Sequence, residues 1–152
     1  MHEYHTGRAL EQAWGGWLES LGDWEWFVTM TFSNPAKNNR YWTQPGWGYA
    51  KRAWKDFLAR AQPALGELKW VRVFELQHWR GVPHIHALVG NVDPSVRRMD
   101  MVDWAYQQYG ITRVLEYNPE LGARFYLCKY LTKEIADIEF GGIQVTNMEV
   151  IK

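Results

Sequence analysis

Two histidines, two residues apart, are the first groups in this chain that can do chemistry. His84 and His86 lie in the stretch H-I-H-A-L-V. In an extended chain successive side chains point to opposite faces, so both imidazoles point one way and Ile85 and Ala87 the other. Two imidazoles a single pleat apart can chelate one cation. The preceding extended stretch, L-K-W-V-R-V-F-E-L-Q at 68–77, carries Glu75 and Gln77 on one face. A carboxylate beside two imidazoles makes a two-histidine, one-acid donor set, which suits Mg, Mn, Fe or Zn. Glu75 is the preferred third ligand, because its charge helps hold a divalent cation. Gln77 takes that place if the register through the intervening turn differs.

A second group of reactive side chains follows at R-F-Y-L-C-K-Y-L-T-K-E. On a helix, residues four apart share a side. Tyr126 and Tyr130 are so related, as are Lys129 and Lys133, and all four fall within about one-sixth of a turn either side of the tyrosine pair. Leu127, Cys128, Leu131 and Ile135 lie nearly opposite, so the phenols and ammonium groups are expected on a face the core does not need. A phenol is a weak nucleophile at neutral pH, with a pKa near ~10. A neighbouring cation or metal activates it. The lysines can lower the phenol pKa and stabilise a pentacoordinate phosphorus, while a divalent metal polarises phosphoryl oxygens.

The elements that must position these groups are legible in the periodicity. Residues 8–20 are weakly helical, interrupted by Gly15 and Gly16. Residues 24–32, W-E-W-F-V-T-M-T-F, predict a strand. The stretch 33–48, with its Asn, Pro and Gly residues, predicts a long loop. Residues 49–61 have helical spacing, ended by Pro63. Residues 68–77 and 84–90 predict a hairpin through the turn 78–83. A helix is expected over 94–109, a strand over 111–117 and a helix over 121–137. The order β-α-β-β-α-β and then α is the ferredoxin-like split pattern. It predicts an α+β fold with a central antiparallel sheet and a C-terminal tyrosine-bearing helix, as one domain over 1–152.

Composition narrows the function classes. Of 152 residues, 47% are hydrophobic and 22% charged, which argues against general disorder. No apolar run approaches the roughly 20 residues of a membrane span. The start, M-H-E-Y-H-T-G-R, has no apolar signal core, so secretion is not expected. The one cysteine, Cys128, excludes an internal disulfide and a Cys-rich zinc site, and fits a reducing, cytoplasmic compartment. Lys+Arg and Asp+Glu are 17 each, whereas a bulk electrostatic nucleic-acid binder carries a basic excess. Any DNA contact must therefore be local. Candidates are Lys51, Arg52 and Lys55 on one helix, Arg97 and Arg98 at the start of another, and Lys37, Arg40 and Trp42 in the long loop. Basic and aromatic residues together suit unpaired DNA.

Taken together these pieces resemble the HUH endonucleases, in particular the rolling-circle replication initiators of plasmids and phages. F-V-T-M-T-F at 27–32 looks like the family's first motif. G-V-P-H-I-H-A-L-V at 81–89, preceded by F-E-L-Q at 74–77, looks like its second, and Y-L-C-K-Y-L-T-K at 126–133 its third. The third, with two tyrosines around a lysine, is similar to that of initiators of small single-stranded DNA phages. Some related plasmid initiators carry glutamate where Tyr126 stands.

The resemblance implies nicking of single-stranded DNA at a hairpin-associated origin, with Mn²⁺ or Mg²⁺ held by His84, His86 and Glu75. Tyr126 or Tyr130 attacks the phosphate, leaving a 5′-phosphotyrosine bond and a 3′-hydroxyl that primes synthesis. Lys129 assists, and Lys133 contacts the backbone. A host helicase and polymerase complete the work. Three other readings stand beside this one. One is a single-tyrosine HUH transposase. Another is a metalloenzyme acting on small molecules, which has no need of the tyrosines. The last is a non-enzymatic single-stranded nucleic-acid-binding module, which has no need of metal.

Overall fold

Five extended stretches, most of them rich in β-branched and aromatic residues, pair into one antiparallel sheet. The computed structural model describes residues 2–32, 47–76, 83–128 and 137–143. Its strands include β1 (Trp26–Thr31), β2 (Lys69–Leu76), β3 (Pro83–Gly90) and β4 (Thr112–Glu116). Its helices are α1 (His2–Ser20), α2 (Trp47–Ala61) and α3 (Arg98–Gln108). A π-helical segment, Arg124–Cys128, and a further strand, β5 (Asp137–Gly141), follow β4. The strand order is β4-β1-β3-β2-β5, and every neighbouring pair is antiparallel. Without β5, chain order and spatial order are those of the ferredoxin-like split β-α-β pattern, as expected.

Period-two alternation sorts the side chains onto two faces. Trp26, Val28, Met30, Phe74, Ile85, Ala87, Val89 and Val114 line one face. They pack under Ala50, Trp54 and Phe57 of α2 and Met101 of α3. Phe27, Val71, Val73 and Leu88 line the other, under Trp17 and Leu18 of α1 and Ala123, Tyr126 and Leu127. Glu19 joins the two covering pieces, accepting from the Ala123 backbone N–H and the Tyr117 hydroxyl.

The sequence reading needs four corrections. The first helix does not break at Gly15 and Gly16 but runs from His2 to Ser20. Each glycine costs a helix only about 1 kcal/mol, and the burial of Trp17 and Leu18 outweighs that. The second helix starts two residues earlier than expected, at Trp47. The third starts at Arg98, four residues after Pro94. There the Asp93 carboxylate accepts the Ser95 backbone N–H at 2.9 Å and its hydroxyl at 2.8 Å. These bonds hold the Asp93 carboxyl below the usual range and set a turn in place of the first helical turn. Finally, the helix expected over 121–137 cannot reach its end, because Asp137 begins β5. Residues 129–136 lie outside the described residues, as does the turn 78–82.

β5 is held by charge as well as by its ladder. Ile138 and Phe140 face the α1 side, while Asp137 and Glu139 face the α2 side. Arg72 of β2 lies beneath them, 1% exposed. Its guanidinium pairs with Glu139 and approaches the Asp137 carboxylate at 4.0 Å. Removing both acids leaves a buried cation without a counter-charge. The Asp137→Asn/Glu139→Gln protein is therefore expected to lose about 3 kcal/mol of stability, read as a lower urea midpoint.

Candidate metal centre

The hairpin register decides which side chains meet. β2 and β3 pair with Glu75 directly opposite His84, and Val73 opposite His86. Cross-strand partners share a face, so Glu75, His84 and His86 all stand on the α1 side of the sheet. Their ligand atoms lie within 4.8 Å of one another. The Glu75 Oε1 to His86 Nε2 distance is 3.4 Å, and the two imidazole centroids are 6.0 Å apart. His86 is buried, while Glu75 and His84 are partly buried. Two ligands at right angles around a cation, each about 2.1 Å from it, lie about 3 Å apart. The Glu75–His86 pair has about that spacing already, and His84 offers a third ligand atom within 4.8 Å of both. Two imidazole nitrogens and one carboxylate therefore fit a divalent cation. Gln77 lies outside the described residues.

β1 supplies neighbours that the sequence reading did not single out. Thr29 pairs with His86, and Thr31 with His84, which puts both threonines on the same face. Their signal was the spacing of T-M-T, the same two-residue period as H-I-H. Gly110 closes this end. Its φ is +153°, and a Cβ there would meet the Thr31 carbonyl oxygen at 2.4 Å. Glycine thus lets the chain enter β4 tight against β1, where the Thr31 N–H donates to the Ile111 carbonyl at 2.9 Å.

Tyr126 departs from expectation. The α-helical wheel put it away from the core, yet it is 8% exposed and packs in the same cluster as Leu127. The physical reason is the π-helical winding of Arg124–Cys128. Its i→i+5 hydrogen bonds make a wider turn than the α-helix, so the 3.6-residue spacing does not apply. The Tyr126 ring lies 4.9 Å from Phe27 and 5.3 Å from Tyr117, centroid to centroid. Its hydroxyl oxygen accepts the Asn118 backbone N–H at 3.1 Å. Phe27 pairs with Leu88, four residues along β3 from His84. The phenol is thus turned toward the opposite end of the sheet from His84. Burial pushes the neighbouring Tyr117 hydroxyl above the usual tyrosine range, and its bond to Glu19 adds to this. Tyr117 therefore stays a neutral phenol.

Several candidate residues are placed elsewhere. Lys51, Arg52 and Lys55 project as exposed side chains from α2, across the sheet from the histidines. Lys51 lies 3.8 Å from Asp137. Arg98 donates to the Val114 carbonyl and pairs with Glu116 at 3.5 Å. Lys129, Tyr130 and Lys133, and Lys37, Arg40 and Trp42, lie outside the described residues.

A family model for the replication-associated protein ORF2 matches residues 25–135. The match runs from just before β1 to just short of β5, and it contains all three ligand candidates. The chain belongs to this family. In this replication-associated protein, α1 and β5 lie outside the matched stretch. No curated protein and no solved structure matches it. Among the described residues, no helix is long and apolar enough to cross a membrane.

Proposed function

We propose that this replication-associated protein is an HUH-type endonuclease that nicks and rejoins single-stranded DNA at a replication origin. The carrying observation is the convergence of Glu75, His84 and His86 on one sheet face, inside the stretch that matches the family. These three residues would hold the divalent cation, Mn²⁺ or Mg²⁺. When bound, the cation supplies Lewis-acid polarisation of the scissile phosphate.

The nucleophile in this reading is a phenol of the Y-L-C-K-Y motif. The Tyr126 hydroxyl is engaged by Asn118, which favours Tyr130 for the first attack. The Tyr130 oxygen bonds to phosphorus as the bond from phosphorus to the 3′ oxygen breaks. The phenol gives up its proton and the 3′ oxygen takes one up. The products are a 5′-phosphotyrosine and a free 3′-hydroxyl, which primes synthesis. Lys129 assists by placing the metal or the scissile phosphate, and Lys133 contacts the DNA backbone. Lys37, Arg40 and Trp42, with Lys51, Arg52 and Lys55, add contacts farther along the strand. A host helicase and polymerase would extend the primed strand. In this reading 1–152 acts as one nuclease domain.

The seat of Tyr126 also favours a second reading, a single-tyrosine HUH transposase. In that case only Tyr130 has a chemical role, and excised hairpin-bounded DNA is the substrate.

Metal binding is testable without any DNA. A ligand at one hundred times its Kd stabilises a protein by about 2.7 kcal/mol. For a domain of this size that raises the melting temperature by roughly 5–10 °C. Mn²⁺ should do this for the wild type and not for Glu75→Gln. Equal shifts in both proteins would remove Glu75 from the donor set.

A further inference from the structure

The face that carries the histidines continues past them to β4, the outermost strand on that side among the described residues. Thr29 of β1 pairs with His86 on one side and with Arg113 of β4 on the other. Arg113 therefore stands on the face of Glu75, His84 and His86, two strand spacings from His86, or about 10 Å. Thr112 and Val114, its neighbours in sequence, turn to the opposite face and are buried. Ile111 and Leu115 alternate with them onto the histidine face, 58% and 47% exposed. The outer strip of this face is thus apolar, cationic, apolar, and Arg113 is exposed.

Lys51, Arg52, Lys55 and Arg97 belong to the elements on the other side of the sheet. Lys69 is on the histidine face, at its far end, but its ammonium donates to the Leu21 and Gly22 carbonyls and lies over the Trp24 ring. Burial lowers the Lys69 pKa, as that seat requires. Arg72 and Arg98 are paired with acids, and Arg60 lies over Trp104. Among the described residues, Arg113 has no carboxylate within ion-pair distance. An arginine left unpaired between two exposed aliphatic side chains suits a partner that alternates phosphates with apolar faces.

We propose that Ile111, Arg113 and Leu115 form a single-stranded DNA track that leads the strand across Thr29 and Thr31 to the metal ligands. Arg113 takes a backbone phosphate, and Ile111 and Leu115 lie against unpaired bases. The occupant is single-stranded because a duplex hides its base faces, whereas an unpaired strand offers them beside its phosphates. With 17 basic and 17 acidic residues, bulk attraction is weak and one local cation counts for more. This inference rests on the nicking function proposed above, and its test separates the two.

The test is fluorescence anisotropy with a labelled random-sequence single-stranded oligonucleotide pool in EDTA. A duplex pool serves as comparison, and Mn²⁺ affinity is measured separately. Arg113→Glu should weaken single-strand binding about tenfold or more. It should also flatten the slope of log K against log salt by about 0.7 or more. Leu115→Ser should weaken binding about threefold with the salt slope kept, and Arg113→Lys should restore most of the affinity. Mn²⁺ affinity should be unchanged in all three. If Arg113→Glu binds the pool as the wild type does, or if the wild type prefers duplex or binds neither pool, the track is overturned. If the track variants behave as expected while His84→Ala/His86→Ala keeps full Mn²⁺ affinity, the track stands and the metal reading falls.

Discussion

The His84→Ala/His86→Ala protein is expected to cleave single-stranded DNA at least about 1,000-fold more slowly than the wild type. Two of the three side chains proposed to hold the cation are then gone, and one carboxylate does not hold a divalent cation. Loss of Lewis-acid stabilisation of a phosphoryl transition state is worth several kcal/mol, and about 4 kcal/mol corresponds to that factor. The fold should survive. The apolar cluster of Trp17, Leu18, Leu88 and Leu127 that holds the helical cover in place is untouched by the two changes. Circular dichroism should therefore match the wild type, and single-strand binding in EDTA should persist. Nicking at the wild-type rate, with excess Mn²⁺ or without it, would mean that the histidines do not serve the reaction.

The second large effect is expected to split the two tyrosines. Tyr130→Phe should abolish covalent attachment to DNA, because phenylalanine offers no oxygen to attack phosphorus. Tyr126→Phe should keep the first cleavage within about threefold of the wild type. It should show its loss elsewhere, in a stability lower by about 1 kcal/mol once the Asn118 N–H has lost its acceptor. The wild type should release and rejoin strands over repeated rounds. A Tyr126→Phe protein that cleaves once and then stalls would mark Tyr126 as the second nucleophile of an initiator. One that completes every round would favour the single-tyrosine cycle. The opposite split, with Tyr126→Phe losing the adduct and Tyr130→Phe keeping it, would show that the seat of Tyr126 opens during the reaction and that the assignment to Tyr130 is incorrect.

Much of this architecture was legible in the chain. β1 to β4 are rich in β-branched and aromatic residues, and the H-I-H spacing alone puts both imidazoles on one face. Glu75 was preferred over Gln77 on charge, and the hairpin then placed Glu75 opposite His84. Other features depend on contacts distant in sequence, which periodicity does not carry. D-I-E-F-G alternates like a strand, but five residues after an expected helix are a faint signal, and what fixes β5 is Arg72, 65 residues from Asp137. Tyr126 departs from its place on a wheel of 3.6 residues per turn because its segment is wound as a π-helix. Arg113 escaped notice because its meaning comes from β1, which carries the row from His86 through Thr29 to the far edge. A lone arginine in I-T-R-V-L-E-Y announces nothing by itself.

The most direct test of the account is to identify the atom that joins DNA. Wild-type protein would be incubated with Mn²⁺ and a pool of random and hairpin-bearing single-stranded oligonucleotides, denatured, digested and mapped by mass spectrometry. The account predicts a nucleotide phosphate on the Tyr130 peptide, absent when EDTA replaces Mn²⁺ and absent in His84→Ala. An adduct that forms equally in EDTA, or tight single-strand binding with no adduct in Mn²⁺ or Mg²⁺, would contradict it.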